Sequence, residues 1–399
     1  MNKVCIIGAG ISGLACIDKF KLQDIPYVCF EKRSSLGGLW NYSDTERSVY
    51  SSCTQNHLRD NMSICSLPPN ERFKQYMYHK EYLEYLNQFD DENIEYNSDV
   101  TSVYYEKDTA LWVVCVNGKT HSFKHVVICS GYYSEPKYPN FISSSAIKTS
   151  YIHSSKYKKP TSYKNKNVLI IGAGSSSLQI AEDIGRFTKS VSISYRKMPL
   201  LLPRYIDGMP LWQFYQKNKS IGEDKLIDLI VSYTGQGTGG VPSPQQRIYN
   251  STTLPMCEDI FDLAKESHVD FVPEVSDING KTIRFVTGES SQKFDEIILC
   301  TGFHSSCSFL SKEFDYNNLI DFMVHREEKG LFFVGMLQPV GPVPPIVEMQ
   351  TKVISGLIKN NSALEGALKQ SYEPPASSRV WFDEYAHNLR DKYPEFINT

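Results

Sequence analysis

The chain lacks three features that would assign it to common classes of protein. Its ten cysteines include no Cys-x-x-Cys pair, so the spacing indicates neither a zinc site nor a disulfide framework. No apolar run approaches the roughly 20 residues of a membrane span. The net charge is −3 and the pI about 6.3, which gives no electrostatic footprint for nucleic acid or an anionic membrane.

What is present is the composition of an ordinary globular enzyme, with 399 residues, of which 41% are hydrophobic and 22% charged. That length predicts two or three domains. Several cysteines lie inside apolar runs, which indicates buried thiols in a reducing compartment. The first apolar strand begins by Val4, so we expect no signal peptide and predict a soluble, cytoplasmic protein without a bound metal.

One nucleotide-binding pattern occurs twice, and it is the most informative feature of the sequence. Each copy has an apolar strand, a turn of the G-x-G-x-x-G type and a helical pattern. The small positions are Gly8, Gly10 and Gly13 in the first copy and Gly172, Gly174 and Ser177 in the second. Such a turn lets a diphosphate approach the backbone at a helix N-terminus. Two copies predict two bound dinucleotides and electron transfer between them.

The residues after the next strand differ between the two copies. In the first copy Glu31 lies about 20 residues beyond the turn, where a carboxylate accepts hydrogen bonds from the adenosine ribose. In the second copy Tyr195, Arg196 and Lys197 occupy this region, and no carboxylate remains. A cationic pair suits a 2′-phosphate and favours NADPH over NADH. The alternative interpretation is a solvated basic strand end.

A second glycine-rich stretch follows Glu31. Gly37 and Gly38 precede Leu39 and Trp40, and adjacent glycines allow the backbone to approach a flat or anionic group. Their position after the predicted ribose acid favours a site where Leu39 and Trp40 line an isoalloxazine ring. Without that context, the two glycines are typical of a plain turn.

Two similar apolar strands bracket the second copy and end near Gly131 and Gly302. We therefore predict an α/β fold with two Rossmann-like dinucleotide-binding domains, the NADPH domain being inserted into the FAD domain. The predicted divisions are residues 1–164 for the first part of the FAD domain, 165–290 for the NADPH domain with a substrate-side insertion, and 291–399 for the second part and a polar C-terminal tail on the surface. The Gly235–Gly240 run lacks a strand before it and a helix after it, so it predicts a loop, with a mobile lid as the alternative.

The sequence resembles the flavin-containing monooxygenase family over most of its length. The resemblance rests on the first turn with Glu31, the Gly-Gly-Leu-Trp run, the second turn, the Leu299–Phe303 run and the Tyr50–Asn56 stretch. It implies a class B flavoprotein monooxygenase that uses FAD and NADPH. In the family an asparagine in the Tyr50–Asn56 stretch lies beside the flavin and the nicotinamide, which makes Asn56 the catalytic candidate. A late Glu-x-Gln, matched here by Glu348 and Gln350, lies near the flavin.

The turns, the strand ends and this resemblance together define the expected cofactor-binding residues. They are Gly8, Ala9, Gly10, Ile11, Ser12, Gly13, Glu31, Gly38, Leu39, Trp40, Gln55, Asn56, Val100, Ser130, Gly131, Gly172, Gly174, Ser175, Ser176, Ser177, Gln179, Arg196, Lys197, Thr301, Gly302 and Gln350.

The resemblance also implies a reaction. NADPH reduces FAD, the reduced flavin forms a C4a-hydroperoxide with O₂, and a nucleophilic nitrogen or sulfur of a small molecule takes one oxygen atom. The family's fingerprint is degraded here and retains His153, expected to be a structural hinge residue, and Tyr157. Ketone-oxygenating relatives usually carry tryptophan at the Tyr157 position, which favours heteroatom oxygenation over Baeyer–Villiger chemistry. An NADPH oxidase that releases hydrogen peroxide remains an alternative, and the sequence leaves a homodimer open.

Overall fold

The computed structural model describes residues 3–64, 67–144, 147–245, 254–311, 314–369 and 379–397. The helices of these ranges are α1 (Ile11–Leu22), α2 (His79–Leu86), α3 (Asn140–Ser144), α4 (Ser175–Gly185), α5 (Leu211–Asn218), α6 (Glu223–Thr234), α7 (Ile260–Lys265), α8 (Val343–Lys359), α9 (Asn361–Lys369), α10 (Phe382–Lys392) and α11 (Pro394–Ile397). The strands are β1 (Val4–Ile7), β2 (Tyr27–Phe30), β3 (Ile94–Glu95), β4 (Val100–Glu106), β5 (Leu111–Val116), β6 (Lys119–Phe123), β7 (Val126–Ile128), β8 (Glu135–Pro136), β9 (Ser150–His153), β10 (Asn167–Ile171), β11 (Ser190–Ser194), β12 (Tyr205–Ile206), β13 (Met209–Pro210), β14 (Val269–Val272), β15 (Val275–Asn279), β16 (Thr282–Phe285), β17 (Ser290–Ser291), β18 (Glu296–Leu299), β19 (Phe303–His304), β20 (Leu319–Ile320), β21 (Val324–His325), β22 (Leu331–Phe333), β23 (Gln338–Val340) and β24 (Arg379–Trp381).

The chain divides into two compact units. The first unit contains Met1–Val49, Cys53–Glu135 and Phe303–Thr399, and the second contains Tyr50–Ser52 and Pro136–Gly302. These bounds differ from the predicted divisions after residues 164 and 290. The reason is strand pairing, because β18 lies between β10 and β9 in one parallel sheet, so all three strands belong to the second unit.

The first unit is built around a largely parallel sheet that contains β1. In the described residues its strand order is β20-β21-β22-β7-β1-β2-β3. Alternate residues of β1 point to opposite faces, so Ile6 joins a core with Leu14 of α1, whereas Ile7 joins a core with Val114 of β5. Helices α1 and α8 therefore cover one face, and the antiparallel sheet β4-β5-β6 covers the other.

The second unit repeats this plan. Its parallel sheet has the order β14-β11-β10-β18-β9 in the described part of the chain. Ile170 of β10 packs with Leu178 of α4, while Leu169 packs against the antiparallel β15-β16-β17 sheet through Ile278. A smaller core near β12, β13, α5 and α6 contains Phe214. Both predicted strand–turn–helix units and the predicted α/β fold class are confirmed.

The prediction of a surface tail at the C-terminus is wrong. Residues 379–397 form β24, α10 and α11, and β24 pairs with β23. Tyr385 of α10 is buried in the main core of the first unit, where its hydroxyl donates to the carbonyl oxygen of Asp321 at 2.6 Å. Tyr385 and Tyr393 are thus core residues, and Phe382 and Phe396 pack against the same core, although the surrounding sequence is polar.

Two composition-based expectations can be compared with the structure. The nine cysteines in the described ranges are free, and seven of them are buried; Cys115 and Cys300 are partly exposed. No helix within those ranges combines the length and the apolar character needed to cross a bilayer.

Candidate active site

The first glycine turn connects β1 to α1 by an unusually close backbone contact. Gly8 has φ of +102°, and a Cβ there would lie 2.8 Å from the carbonyl oxygen of Cys129. A Cβ on Gly13 would lie 1.8 Å from the carbonyl oxygen of Gly8. Both positions therefore require glycine for steric reasons, and α1 begins directly against the end of β1.

The N-terminus of α1 is open to an anion. Its N-cap residue is Gly10, which provides no side-chain hydrogen bond, and the first turn contains no acidic residue. The first backbone N–H groups of a helix have no intrahelical partner and carry a partial positive charge. An anionic diphosphate fits this end of α1.

Glu31 reinforces the same turn from β2. Its side chain is 6% exposed, and its carboxylate accepts hydrogen bonds from the backbone N–H groups of Ala9 at 2.7 Å and Arg33 at 2.9 Å. A carboxylate oxygen can accept more than one hydrogen bond. Glu31 can thus hold the turn and still accept from a ribose hydroxyl, the role that the sequence predicts.

The Gly-Gly-Leu-Trp run lies against the first turn. A Cβ on Gly38 would lie 3.0 Å from the Cα of Gly10, so two backbone segments meet without side chains between them. The Arg33 guanidinium donates to the carbonyl oxygens of Gly38 and Asn41 at 2.9 and 2.8 Å and therefore fixes the loop. The rings of Trp40 and Tyr82 pack edge to face, with their centroids 5.0 Å apart.

Asn56 lies in the first unit, which the chain re-enters at Cys53 after the short Tyr50–Ser52 segment of the second unit. Asn56 is partly buried. Its neighbour Gln55 is 1% exposed, and neither oxygen nor nitrogen of the Gln55 amide has a hydrogen-bond partner. A buried polar group without a partner is destabilising, so this side chain is an orphaned group of the kind that a ligand can satisfy. Because Gln55 is sealed from solvent, it must turn toward the surface to do so.

His57, which the sequence interpretation missed, follows Asn56 directly. Burial lowers its pKa to about 4, against the opposing effect of a hydrogen bond to the backbone of Gly341. The ring is therefore neutral at pH 7. A neutral imidazole has one donor and one acceptor nitrogen, and the bond to the Gly341 carbonyl uses the donor. His57 thus joins the Asn56 loop to the segment before α8.

The Gln350 side chain forms hydrogen bonds inside the first unit and does not reach the surface. It is fully buried, accepts from the backbone N–H of Gly335 at 2.9 Å and donates to the Tyr385 hydroxyl at 2.8 Å. A side chain that contacts a ligand must be reachable, so the predicted direct contact with the flavin is not supported by its position. Glu348, its partner in the motif, forms an ion pair with Lys352 at 3.3 Å.

The second glycine turn has the same construction as the first. Gly172 has φ of +115°, and a Cβ there would lie 2.5 Å from the carbonyl oxygen of Cys300. Gly174 caps α4 without a side-chain hydrogen bond, and the first turn of α4 contains no acidic residue. Ser177 is fully buried, so it replaces the third glycine by packing and does not reach a ligand. A second diphosphate fits the N-terminus of α4.

The predicted basic pair lies just beyond β11, the strand that follows α4. Arg196 and Lys197 are both exposed. The strand before them is held in the sheet up to its last residue, Ser194, which pairs with Val272 of β14. On α4, Gln179 donates to the carbonyl oxygen of Met256 at 3.2 Å and accepts from the Tyr50 hydroxyl at 3.3 Å. Gln179 therefore anchors the Tyr50–Ser52 segment within the second unit.

Ile11 and Ser12 lie in the first turn of α1, and Ser175 and Ser176 lie in the first turn of α4. Five further predicted residues lie at or near strand ends. Ser130 and Gly131 follow β7, and Val100, 9% exposed, begins β4. Thr301 and Gly302 follow β18, and the carbonyl oxygen of Gly302 lies 3.0 Å from His153 Nε2. That contact gives His153 a structural role. Tyr157 is buried and donates to Asp183, so it is a core residue of the second unit.

Each unit thus has the features of a dinucleotide site, and together they define a two-dinucleotide flavoprotein fold. The profile of the flavin-binding monooxygenase-like family matches residues 1–223, more than half of the chain. The chain belongs to this family, and its members use FAD and NADPH.

Individual relatives agree with this assignment. The chain is 27% identical to the N-oxide-forming dimethylaniline monooxygenase 2 of Rattus norvegicus, over 90% of this chain and 74% of the relative. It is 27% identical to flavin-containing monooxygenase 3 of Macaca mulatta, over 100% of this chain and 81% of the relative.

Solved structures share the fold. S-allyl-L-cysteine S-oxygenase from Allium sativum superposes with a TM-score of 0.64 at 21% identity, covering 98% of this chain and 81% of that one. An open structure of cyclohexanone monooxygenase gives a TM-score of 0.73 at 14% identity, with 98% of each chain covered. At these identities the likeness concerns the fold alone.

Proposed function

We propose that this chain transfers one oxygen atom of O₂ to a nucleophilic nitrogen or sulfur of a small molecule, with FAD in the first unit and NADPH in the second. The observation that carries the proposal is the pair of glycine turns, each ending at a helix whose N-terminus has neither a side-chain cap nor an acid in its first turn. Two such sites in one chain suit two anionic dinucleotides.

The cofactors, when bound, supply hydride transfer and the activation of O₂. The chain then needs few acid–base groups, and its work is to bind, orient and exclude water. In this proposal Glu31 holds the FAD ribose, Arg196 and Lys197 hold the 2′-phosphate of NADPH, and Asn56 orients the reacting groups. The neutral His57 adds no positive charge beside Asn56, so a basic amine is not repelled there.

Two observations favour nitrogen or sulfur over a carbonyl as the acceptor. The names of two similar proteins state N-oxide formation and S-oxygenation. Tyr157, where ketone-oxygenating relatives usually have tryptophan, is buried and bonded to Asp183. The proposal includes a cytoplasmic location. A homodimer stays open, as in the sequence analysis.

The test is a panel of tertiary amines, thioethers and ketones, with NADPH consumption, hydrogen peroxide and oxygenated product measured in parallel. We expect product equal to most of the NADPH consumed for at least one amine or thioether. Turnover of ketones alone assigns Baeyer–Villiger chemistry, and peroxide equal to NADPH with every compound assigns an oxidase. Either result contradicts the proposal.

Asn56→Ala tests the assigned orienting residue in the same assay. We expect normal FAD content and a larger fraction of NADPH converted to peroxide, because the reacting groups are held less firmly. Asn70→Ala, on an exposed loop of the same unit, is the matched control and should leave the ratio unchanged.

A further inference from the structure

Arg47 is a partly buried cation that no acidic group in the described ranges neutralises. Its Nη1 atom is sealed from solvent and has no hydrogen-bond partner. Burial alone lowers its pKa. Burying an unpaired charge is costly, and proteins normally provide such a guanidinium with an anion.

Arg33, in the same part of the first unit, differs from Arg47 because its guanidinium has hydrogen-bond partners and a carboxylate. Arg33 donates to the carbonyl oxygens of Gly38 and Asn41. Its Nε atom lies 2.5 Å from a carboxylate oxygen of Glu46. Glu46, the residue before Arg47, therefore faces Arg33 and neutralises it, which leaves Arg47 as the uncompensated positive charge of the loop.

Backbone contacts connect the Arg47 segment to the first glycine turn. The N–H of Val49 donates to the carbonyl oxygen of Leu39 at 2.9 Å, which returns the Arg47 segment to the Gly38–Trp40 turn. Gly38 in turn meets Gly10, the N-cap of α1. The uncapped helix N-terminus and the uncompensated guanidinium are thus two independent features that favour an anion in the same region.

We propose that Arg47 binds the diphosphate of FAD together with the N-terminus of α1. A diphosphate carries two negative charges, whereas the glycine turn offers only backbone N–H groups and a helix dipole. The guanidinium supplies a full positive charge and donors that match phosphate oxygens. Because Nη1 is sealed from solvent, the side chain must turn toward the ligand to use that donor. This inference rests on the proposed placement of FAD in the first unit.

The experiment compares release of FAD from purified wild-type protein, Arg47→Gln and Arg47→Lys, followed by the rise in flavin fluorescence after dilution at low salt and at 1 M KCl. Arg72→Gln, an exposed residue of the same unit, is the control. We expect Arg47→Gln to release FAD at least about ten times faster at low salt, with a smaller difference at high salt, and Arg47→Lys to be intermediate.

A second measurement separates a binding role from a structural one. After FAD is stripped, Arg47→Gln should melt at or above the temperature of stripped wild-type protein, because an unpaired buried charge has been removed. With FAD bound it should melt below the wild type. A stripped variant that melts well below the wild type gives Arg47 a structural role and overturns the inference.

The remaining outcomes distinguish the inference from the proposed function. If wild-type protein does not retain FAD, the proposed function fails. If it retains FAD and Arg47→Gln releases FAD at the same rate, only the inference is overturned. An unchanged rate with a higher KM for NADPH, or for a carboxylate-bearing substrate, assigns Arg47 to a different anion and also overturns it.

Discussion

A Cβ atom on Gly13 would lie 1.8 Å from the carbonyl oxygen of Gly8, far inside any van der Waals contact. The second unit shows that the third small position is not always so restricted, because Ser177 occupies it there with its side chain fully buried. The two turns share a sequence pattern but differ in how closely the helix approaches the strand.

Gly13→Ala should therefore disrupt the first turn. We expect protein that is poorly soluble or free of FAD, because the methyl group must displace the Gly8 carbonyl at the predicted diphosphate site. The matched change Ser177→Ala should be nearly neutral, since the Ser177 hydroxyl has no hydrogen-bond partner. The effect of each variant is measured by the flavin content per chain and by the thermal midpoint. A yellow, stable Gly13→Ala protein contradicts this account of the turn.

Arg196→Ala tests the preference for NADPH. Removing a guanidinium from a 2′-phosphate typically costs about 1.5–3 kcal/mol, so KM for NADPH should rise by about ten-fold to a hundred-fold. KM for NADH should change little. Arg186→Ala is the control, because Arg186 caps the opposite end of α4 and pairs with Glu266 at 2.7 Å. Equal effects on the two nucleotides would remove the assignment.

The pH dependence of stability tests the buried state of His57. Burial lowers the pKa of His57 to about 4, below the ordinary value of 6.5. Between these values the unfolded chain binds the proton and the folded chain does not, so stability is present at neutral pH and is lost as pH falls from 6.5 toward 4. The full loss is on the order of 3 kcal/mol for such a shift.

His57→Gln should therefore make the thermal midpoint less sensitive to pH in this window. His125 is a matched comparison, because burial lowers its pKa to about 4 as well, with Lys124 and Lys329 adding to the effect. His125→Gln should remove a similar part of the slope. A His57→Gln protein with the full wild-type slope would mean that His57 is protonated in the fold.

Tyr385→Phe tests the packing of the C-terminal helix. The change leaves the carbonyl of Asp321 and the amide of Gln350 without their buried partner, which typically costs about 1–3 kcal/mol. In a unit of about 200 residues, each kcal/mol of lost stability lowers the thermal midpoint by about 2–4 °C. Tyr42→Phe removes an exposed hydroxyl that bonds to Asp44 and should change the midpoint much less. Equal, small effects would indicate a loosely packed helix.

The sequence predicted what depends on local geometry. A glycine turn between a strand and a helix is determined by a few adjacent residues, and Gly8, Gly13 and Gly172 all lie in the predicted strained or crowded positions. Glu31 could also be predicted, because its distance from the turn is fixed by one helix and one strand.

The differences between the structure and the expectations concern contacts between distant parts of the chain. The unit boundaries depend on the pairing of β9 with β18, which no local pattern reveals. The C-terminal stretch appeared polar, yet Tyr385 finds partners at Asp321 and Gln350. Gln350 itself matched a motif, but the motif does not reveal that the side chain is sealed behind the turn at Gly335.

Arg47 and His57 were missed for a related reason. Neither belongs to a glycine motif, and the importance of each depends on what surrounds it. Arg47 matters because Glu46 faces Arg33, and His57 because its ring meets Gly341. The available signal was their position, since Arg47 lies between the Gly-Gly-Leu-Trp run and Asn56, and His57 follows Asn56 directly.

The most direct test of the central claim, two dinucleotides serving one redox reaction, is anaerobic titration of the purified protein with NADPH while the yellow absorbance of FAD is followed. We predict one FAD per chain, bleached by one equivalent of NADPH and only at much higher concentrations by NADH. A colourless protein that takes up no FAD, or a yellow one that NADPH does not bleach, would contradict the account.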